Sequence, residues 1–179
     1  MAIRSALITV AEFVRLADPA GGARLELRHG EVIESPPVQK RHTAVQKHLV
    51  ELLTARVDPR RYGVVKEIPF RPTSEYEVWT ADVAVYSLAI WEQTPDDDYY
   101  RAVPVIVIEV LSPSNTASEM IDREALCLQN GGREFWLVDP QKQRVKVTRA
   151  GGDSTVFDLT AELTSDVLLA AVPVREIFS

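Results

Sequence analysis

A single cysteine, Cys127, stands among 179 residues. That excludes an internal disulfide and makes a reducing cytosol the expected compartment. One thiol also cannot build a thiolate zinc site. Histidine is scarce too: His29, His42 and His48 are the three present, and none has the spacing of a helical zinc motif. No run approaches the ~18 uninterrupted apolar residues of a membrane span, so no membrane partner is expected. The opening MAIRSALITV has no long apolar stretch followed by a small-residue cleavage site, so no secretion signal is expected either. Positive charge is not in excess. Lys+Arg number 20 against Asp+Glu 26, a net charge of −6. This argues against a uniformly basic, nucleic-acid-coating surface, but leaves room for a local basic groove around an acidic site.

What is present is ordinary globular material, 46% apolar and 26% charged, long enough for one well-buried core. One domain over residues 1–179 is expected. Thr9 followed by Glu12 is a capping box, predicting a short helix at 10–17 before Pro19. ARLELRHGEVIES alternates and breaks at His29-Gly30, a hairpin of 24–28 and 31–35. Loop SPPVQK leads into RHTAVQKHLVELLTARV, whose Val45, Leu49, Leu52 and Leu53 form a helical stripe. YGVVKEIPFRP and VWTADVAVYS read as strands, and IWEQTPDDDYYRAVP as a polar loop. A strand at 104–111 precedes a helix at about 116–129, capped by Thr116 and stopped by Gly131-Gly132. REFWLVDP and QRVKVTRAGG are a strand pair around Pro140, followed by the strand STVFDLT. The order gives a mixed α/β (α+β) domain with a central sheet and helices on its faces.

The stretch VPVIVIEVLSPSN, 103–115, carries the first chemical signal. Glu109 is the one non-aliphatic residue between Val105 and Leu111. So short and β-branched a run reads as a strand buried on both faces. A lone carboxylate there costs several kcal/mol, in order of magnitude, unless it is paired. Asp82, in TADVAVY, is the other acid at a short apolar strand. If the two strands are neighbours, their carboxylates repel unless they share a proton or a divalent cation. Hard oxygen donors point to Mg²⁺ or Mn²⁺, and a shared cation requires the groups on the order of 3–6 Å apart. Glu26 is the third candidate, because Leu25 and Leu27 face away from it along the strand. Each acid has a second reading: a turn cap for Asp82, an arginine salt bridge for Glu109, a solvated hairpin position for Glu26. On a helical wheel, Ala117, Ile121, Ala125 and Leu128 share an arc with Glu124, which therefore needs a partner, either a metal or an arginine. His48 and Cys127 read as packed core residues.

TVAEFVRLADP, LELRHGEVIESPP with RHTAV, ADVAV, VIVIEVLSPSNT and LCLQNGGREFWLVDPQKQRVKVTR together resemble the Uma2 family, within the PD-(D/E)XK restriction-endonuclease-like superfamily. The likeness runs from about residue 9 to 178, and EVLSPS and EFWLVDP are its most specific pieces. It implies a restriction-endonuclease-like mixed sheet flanked by helices, preceded by an N-terminal helix and hairpin. It also implies a Mg²⁺-dependent DNA endonuclease. By the match, Asp82 is the motif aspartate, Glu109 its second acid and Glu26 the glutamate before the hairpin glycine Gly30, all three as metal ligands and catalytic residues. The ion would polarise the phosphodiester and lower the pKa of a bound water.

The chain departs from the pattern at Ala81, where the motif has proline, and at Leu111, two residues after Glu109, where the motif has lysine. Uma2 proteins commonly carry that lysine on the following helix. The matching position here is Arg123, four before Cys127, where tyrosine is usual. Arginine stabilises phosphate charge but cannot act as a base. The alternative reading is accordingly a catalytically impaired nuclease-fold module that binds nucleic acid or a protein partner. Apolar VVKEIPFRP and VPVREIF, bordering a sheet edge or patch, suggest a homodimer, which also suits cutting both strands of a duplex.

Overall fold

The computed structural model describes residues 7–16, 23–35, 40–73 and 75–179. Along the chain, α1 (Val10–Phe13) precedes the hairpin β1 (Arg24–Arg28) and β2 (Glu31–Ser35), and α2 (Lys40–Thr54) leads to β3 (Tyr62–Phe70) and β4 (Trp79–Ser87). Then come α3 (Leu88–Gln93), β5 (Ile106–Val110), α4 (Ala117–Gln129), β6 (Glu134–Asp139) and β7 (Arg144–Arg149). β8 (Ser154–Phe157), β9 (Glu162–Leu163), β10 (Val172–Pro173) and α5 (Val174–Ile177) complete it. Thr9 caps α1 through its hydroxyl and the reciprocal Glu12 carboxylate. Helical residues end at Phe13, and Ala17 of the expected 10–17 helix lies outside the described residues, as do 36–39 of the loop SPPVQK.

The six-stranded sheet runs β3-β4-β5-β6-β7-β8. Its pairs are antiparallel except β5–β6, which is parallel. A parallel pair needs a crossover, and α4 supplies it. The mixed α+β architecture expected from the sequence is the one observed. The hairpin turns at His29 (φ 52) and Gly30 (φ 76), the paired left-handed residues of a two-residue turn whose twist matches its strands.

All five residues of β5 are buried, as a strand covered on both faces should be. Ile106, Ile108 and Val110 share one core with Val45, Leu49 and Leu53 of α2. Val107 packs on the other face with Cys127 and Phe135. By the alternation of strand side chains, Glu109 shares the face of Val107, under α4.

Three expectations need correction. The segment 90–104 is not all loop: Leu88–Gln93 is helical, with Trp91 against Tyr86 at 5.2 Å between ring centroids. Asp96 and Asp97 are exposed, whereas Asp98 is paired with Arg71 and Arg101. The buried face of α4 is Met120, Arg123 and Cys127, and Ile121 is 66% exposed. The helix is rotated by about one position from the expected arc because Arg123 is drawn inward by acids beneath it. Finally, VPVREIF offers no apolar patch, since Val172, Val174 and Ile177 lie in the main core, although its Val172–Pro173 does stand at a sheet edge, as β10 of the two-stranded sheet with β9. β3 is an edge strand of the six-stranded sheet.

Candidate functional site

β4 and β5 carry the two acids side by side. Their register pairs Val83 with Ile108, so Asp82 and Glu109 stand opposite one another one step further along, on the same face. On the other side of β4, β3 pairs Lys66 with Val83 and Ile68 with Ala81. Glu67, at φ 56, falls opposite Asp82 and interrupts the ladder there. The Asp82 carbonyl accepts instead from Gln46 Nε2 of α2 at 3.3 Å.

β1 brings the third acid. Arg24, Glu26 and Arg28 alternate along it and share a face, and that face turns toward β4: Thr80 N donates to Glu26 Oε1 at 2.8 Å. Glu26 is 3% exposed, which overturns the solvated-hairpin reading. From α4, Arg123, 4% exposed, reaches over the acids. Its Nη1 donates to Glu109 Oε1 at 2.9 Å and to the Thr80 carbonyl at 2.9 Å. Its Nη2 donates to both Glu26 oxygens at 3.0 and 2.7 Å. The guanidinium carbon lies 4.7 Å from the Trp79 ring centroid, a cation–π contact made without water. Glu109 thus has the arginine partner that burial demands, and the same arginine also ties Glu26 to it.

Asp82 is served by other groups. Oδ2 accepts from Val110 N at 2.9 Å. Oδ1 faces Gln46 Nε2 at 3.3 Å, His42 Nε2 at 3.1 Å and Arg24 Nη2 at 3.6 Å. Arg28 extends the network by pairing Glu26 and donating to Glu119 Oε1 at 2.6 Å. Apart from Gln46 and Trp79, these groups line a cavity of about 610 Å³ that also takes in Glu34, Arg41, Ser112 and Pro140, within the usual size range of small-ligand clefts.

Electrostatics divide the acids. Burial raises the Glu109 carboxyl to about 8, with Asp82 and Glu26 adding to the rise and Arg123 opposing it. For Glu26 burial again pushes upward, but Arg123, Arg28 and the Thr80 N–H outweigh it and the pKa falls below the ordinary value. Burial of Asp82 is likewise outweighed, by His42, the Val110 N–H and Arg24. Apart from Glu109, the charges of Arg24, Arg28 and Arg123 are matched by Glu26, Asp82 and Glu119, so the site does not need an ionised Glu109 for balance.

Asp82 and Glu109 offer hard oxygen donors on neighbouring strands and line one cavity. That chemistry fits a divalent cation at this pair. Glu26 does not fit as a ligand in this arrangement, because both oxygens already accept from arginines. Among the described residues no group of three His, Cys, Asp or Glu side chains converges as a metal cluster. Glu124 is not part of the site. It pairs with Lys146 Nζ at 2.9 Å and accepts from Thr148 Oγ1 at 3.0 Å on β7.

Sequence reasoning missed His42, Gln46, Arg24 and Arg28. The signal was present: His42 and Gln46 lie one helical turn apart on the buried stripe of Val45 and Leu49, and Arg24 and Arg28 share the phase of Glu26.

The model of the Uma2 family, described as "Putative restriction endonuclease", matches residues 10–174. The chain belongs to the Uma2 family. No curated protein matches it significantly. Among solved structures, a "putative nuclease belonging to DUF820" from Anabaena variabilis ATCC 29413 is similar in fold, with a TM-score of 0.81 and 24% identity, covering 96% of this chain and 97% of that one. Among the described residues of this Uma2 chain, no helix is long and apolar enough to cross a membrane.

Proposed function

We propose that this Uma2 protein is a Mg²⁺-dependent (or Mn²⁺-dependent) DNA endonuclease, and that Asp82 and Glu109 hold the ion. The observation that carries the reading is the facing of these two carboxylates across neighbouring strands in one cavity, under a fixed guanidinium. When bound, the ion supplies Lewis-acid polarisation of the phosphodiester and an acidified water. Glu109 must give up its proton to bind the ion. Arg123 supplies a positive charge beside the scissile phosphate and no base. Glu26 positions Arg123, and enters the metal shell as a third ligand only by exchanging an arginine for the ion. The protein is read as one cytoplasmic domain over residues 1–179.

The deciding assay is plasmid cleavage across a Mg²⁺ and Mn²⁺ titration, wild type against Glu109→Gln. Weak metal-dependent nicking by the wild type and its loss in the variant are expected. Equal cleavage by both proteins contradicts the assignment of Glu109. The second reading, a nucleic-acid- or protein-binding module without turnover, is favoured by one observation: Arg123 is locked by four hydrogen bonds, at the position where the Uma2 resemblance implies a lysine. Metal binding with no cleavage by any form would establish it.

The reading includes a homodimer, supported by the edge position of β3 and by the need to cut two antiparallel strands. Light scattering at micromolar concentration should return the mass of two chains. A single-chain mass contradicts it.

A further inference from the structure

We propose that Arg123 is an internal cation that holds Glu109 and Glu26 in place of a metal, and that it leaves Glu109 for the cavity when a divalent ion binds. This rests on the metal reading of Asp82 and Glu109, and adds the event that opens that pair.

The donors of Arg123 supply the first observation. A guanidinium has one N–H on Nε and two on each terminal nitrogen. Nη1 of Arg123 donates to Glu109 Oε1 at 2.9 Å and to the Thr80 carbonyl at 2.9 Å. Nη2 donates to Glu26 Oε1 at 3.0 Å and to Oε2 at 2.7 Å. Both terminal nitrogens are fully used. The remaining donor, Nε, is buried and has no partner among the described residues. Arg123 lines the cavity, yet in this position it has no terminal N–H for a further anion. Acting beside a scissile phosphate therefore requires some of these bonds to break.

The acids supply the second. Glu109 Oε1 already holds a cation at 2.9 Å. A divalent ion on that carboxylate would stand beside a buried guanidinium, and like charges repel strongly where water is scarce. One of the two cations has to leave. Glu26 keeps a counter-charge when Arg123 goes, because Arg28 donates to it from Nε at 2.8 Å and also from Nη2. Asp82 is untouched by the exchange, since it is held by the Val110 N–H, His42, Gln46 and Arg24.

Arg123 also has somewhere to go. Its side chain borders the same cavity as Ser112, Ser114 and Asn115. Leaving forfeits the Thr80 carbonyl and the Trp79 ring, and in return frees the buried Nε from a position without an acceptor. Once released, the planar fork has donors that match the paired oxygens of a phosphate. The lock on the acids and the charge that faces a phosphate are thus two positions of one side chain, and the ion decides between them.

The test is Mn²⁺ titration calorimetry on wild type, Arg123→Met and Arg28→Met, together with NMR of arginine-labelled wild type as Mg²⁺ is added. Both arginines pair with Glu26, but of the two only Arg123 bonds Glu109. Arg123→Met should bind Mn²⁺ about tenfold more tightly than wild type, the scale of one like charge removed from beside the ion. Arg28→Met should gain clearly less. In the NMR experiment the Nη signals of Arg123 are identified by their contacts with the Trp79 ring. They should exchange slowly in EDTA and merge with those of exposed arginines at saturating Mg²⁺. The wild-type spectra decide the matter even if a variant fails to fold. Mg²⁺ binding that leaves these signals unchanged overturns this inference alone, as does a gain for Arg123→Met no larger than that for Arg28→Met. A wild type that binds neither ion overturns it together with the metal site. Release of Arg123 without plasmid cleavage keeps this inference and sinks turnover.

Discussion

Arg123→Ala is expected to destabilise the protein by about 3–5 kcal/mol, the usual cost of removing one partner from a buried ion pair. The size follows from what the guanidinium holds. It satisfies Glu109, both oxygens of Glu26 and the Thr80 carbonyl at once, and it covers the Trp79 ring. Alanine leaves Glu26 buried with a charge that Arg28 alone must balance, and leaves the Thr80 carbonyl without this donor. Adding Glu26→Gln to Arg123→Ala should recover part of the loss, because the second change removes the charge stranded by the first. Urea unfolding of the wild type, the two single variants and the double variant measures this coupling. If the four proteins give additive losses, Arg123 and Glu26 do not act as a unit. Arg123→Lys should fall between wild type and alanine in stability: one ammonium cannot span acceptors on three residues as a planar fork does. In the plasmid assay it should cleave more strongly than wild type, since a lysine can exchange a proton near the reacting phosphate. No cleavage by either form, with Mn²⁺ still bound, would favour the binding-module reading.

The parts of this molecule that could be read from its residues are those where local rules act alone. His29-Gly30 dictates a two-residue turn, and the hairpin bounds 24–28 and 31–35 are those observed. The unbroken β-branched run around Glu109 could only be a central strand, and Thr116 with Glu119 marks the start of α4. The pairing of β4 with β5, which brings Asp82 to Glu109, is a long-range fact that neither strand encodes. Family likeness anticipated Arg123, but its burial was hidden by the apolar residues Ile121 and Ala125 on neighbouring helical positions. What turned the helix was an interaction of charge with three other elements, which no wheel of α4 contains. Arg24 and His42 were legible in phase yet not in consequence, because a basic residue on a buried face acquires meaning only once the acids opposite it are known.

Stability of the metal-free protein should fall as pH rises from about 4.5 to about 8, and Glu109→Gln should abolish that part of the fall. The Glu109 carboxyl moves from an ordinary value of 4.5 to about 8 on folding, chiefly through burial. Within that window the folded state binds a proton that the unfolded state has released, so rising pH favours unfolding. The slope for one group is about 1.4 kcal/mol per pH unit. It vanishes below the window, where both states are protonated, and above it, where both are ionised. Glu26 and Asp82 act in the opposite sense: their lowered values give stability that is lost only as pH drops below the ordinary carboxylate range. They are present in both proteins and cancel in the difference. Glutamine retains an oxygen for Arg123 Nη1 and carries no charge, so the variant should match or exceed wild-type stability at pH 8 and lose that advantage toward pH 5. Urea unfolding at half-unit pH intervals in EDTA reads the difference directly. Parallel curves for the two proteins across pH 5 to 8 would mean that Glu109 is ionised throughout, held by Arg123 as a permanent ion pair.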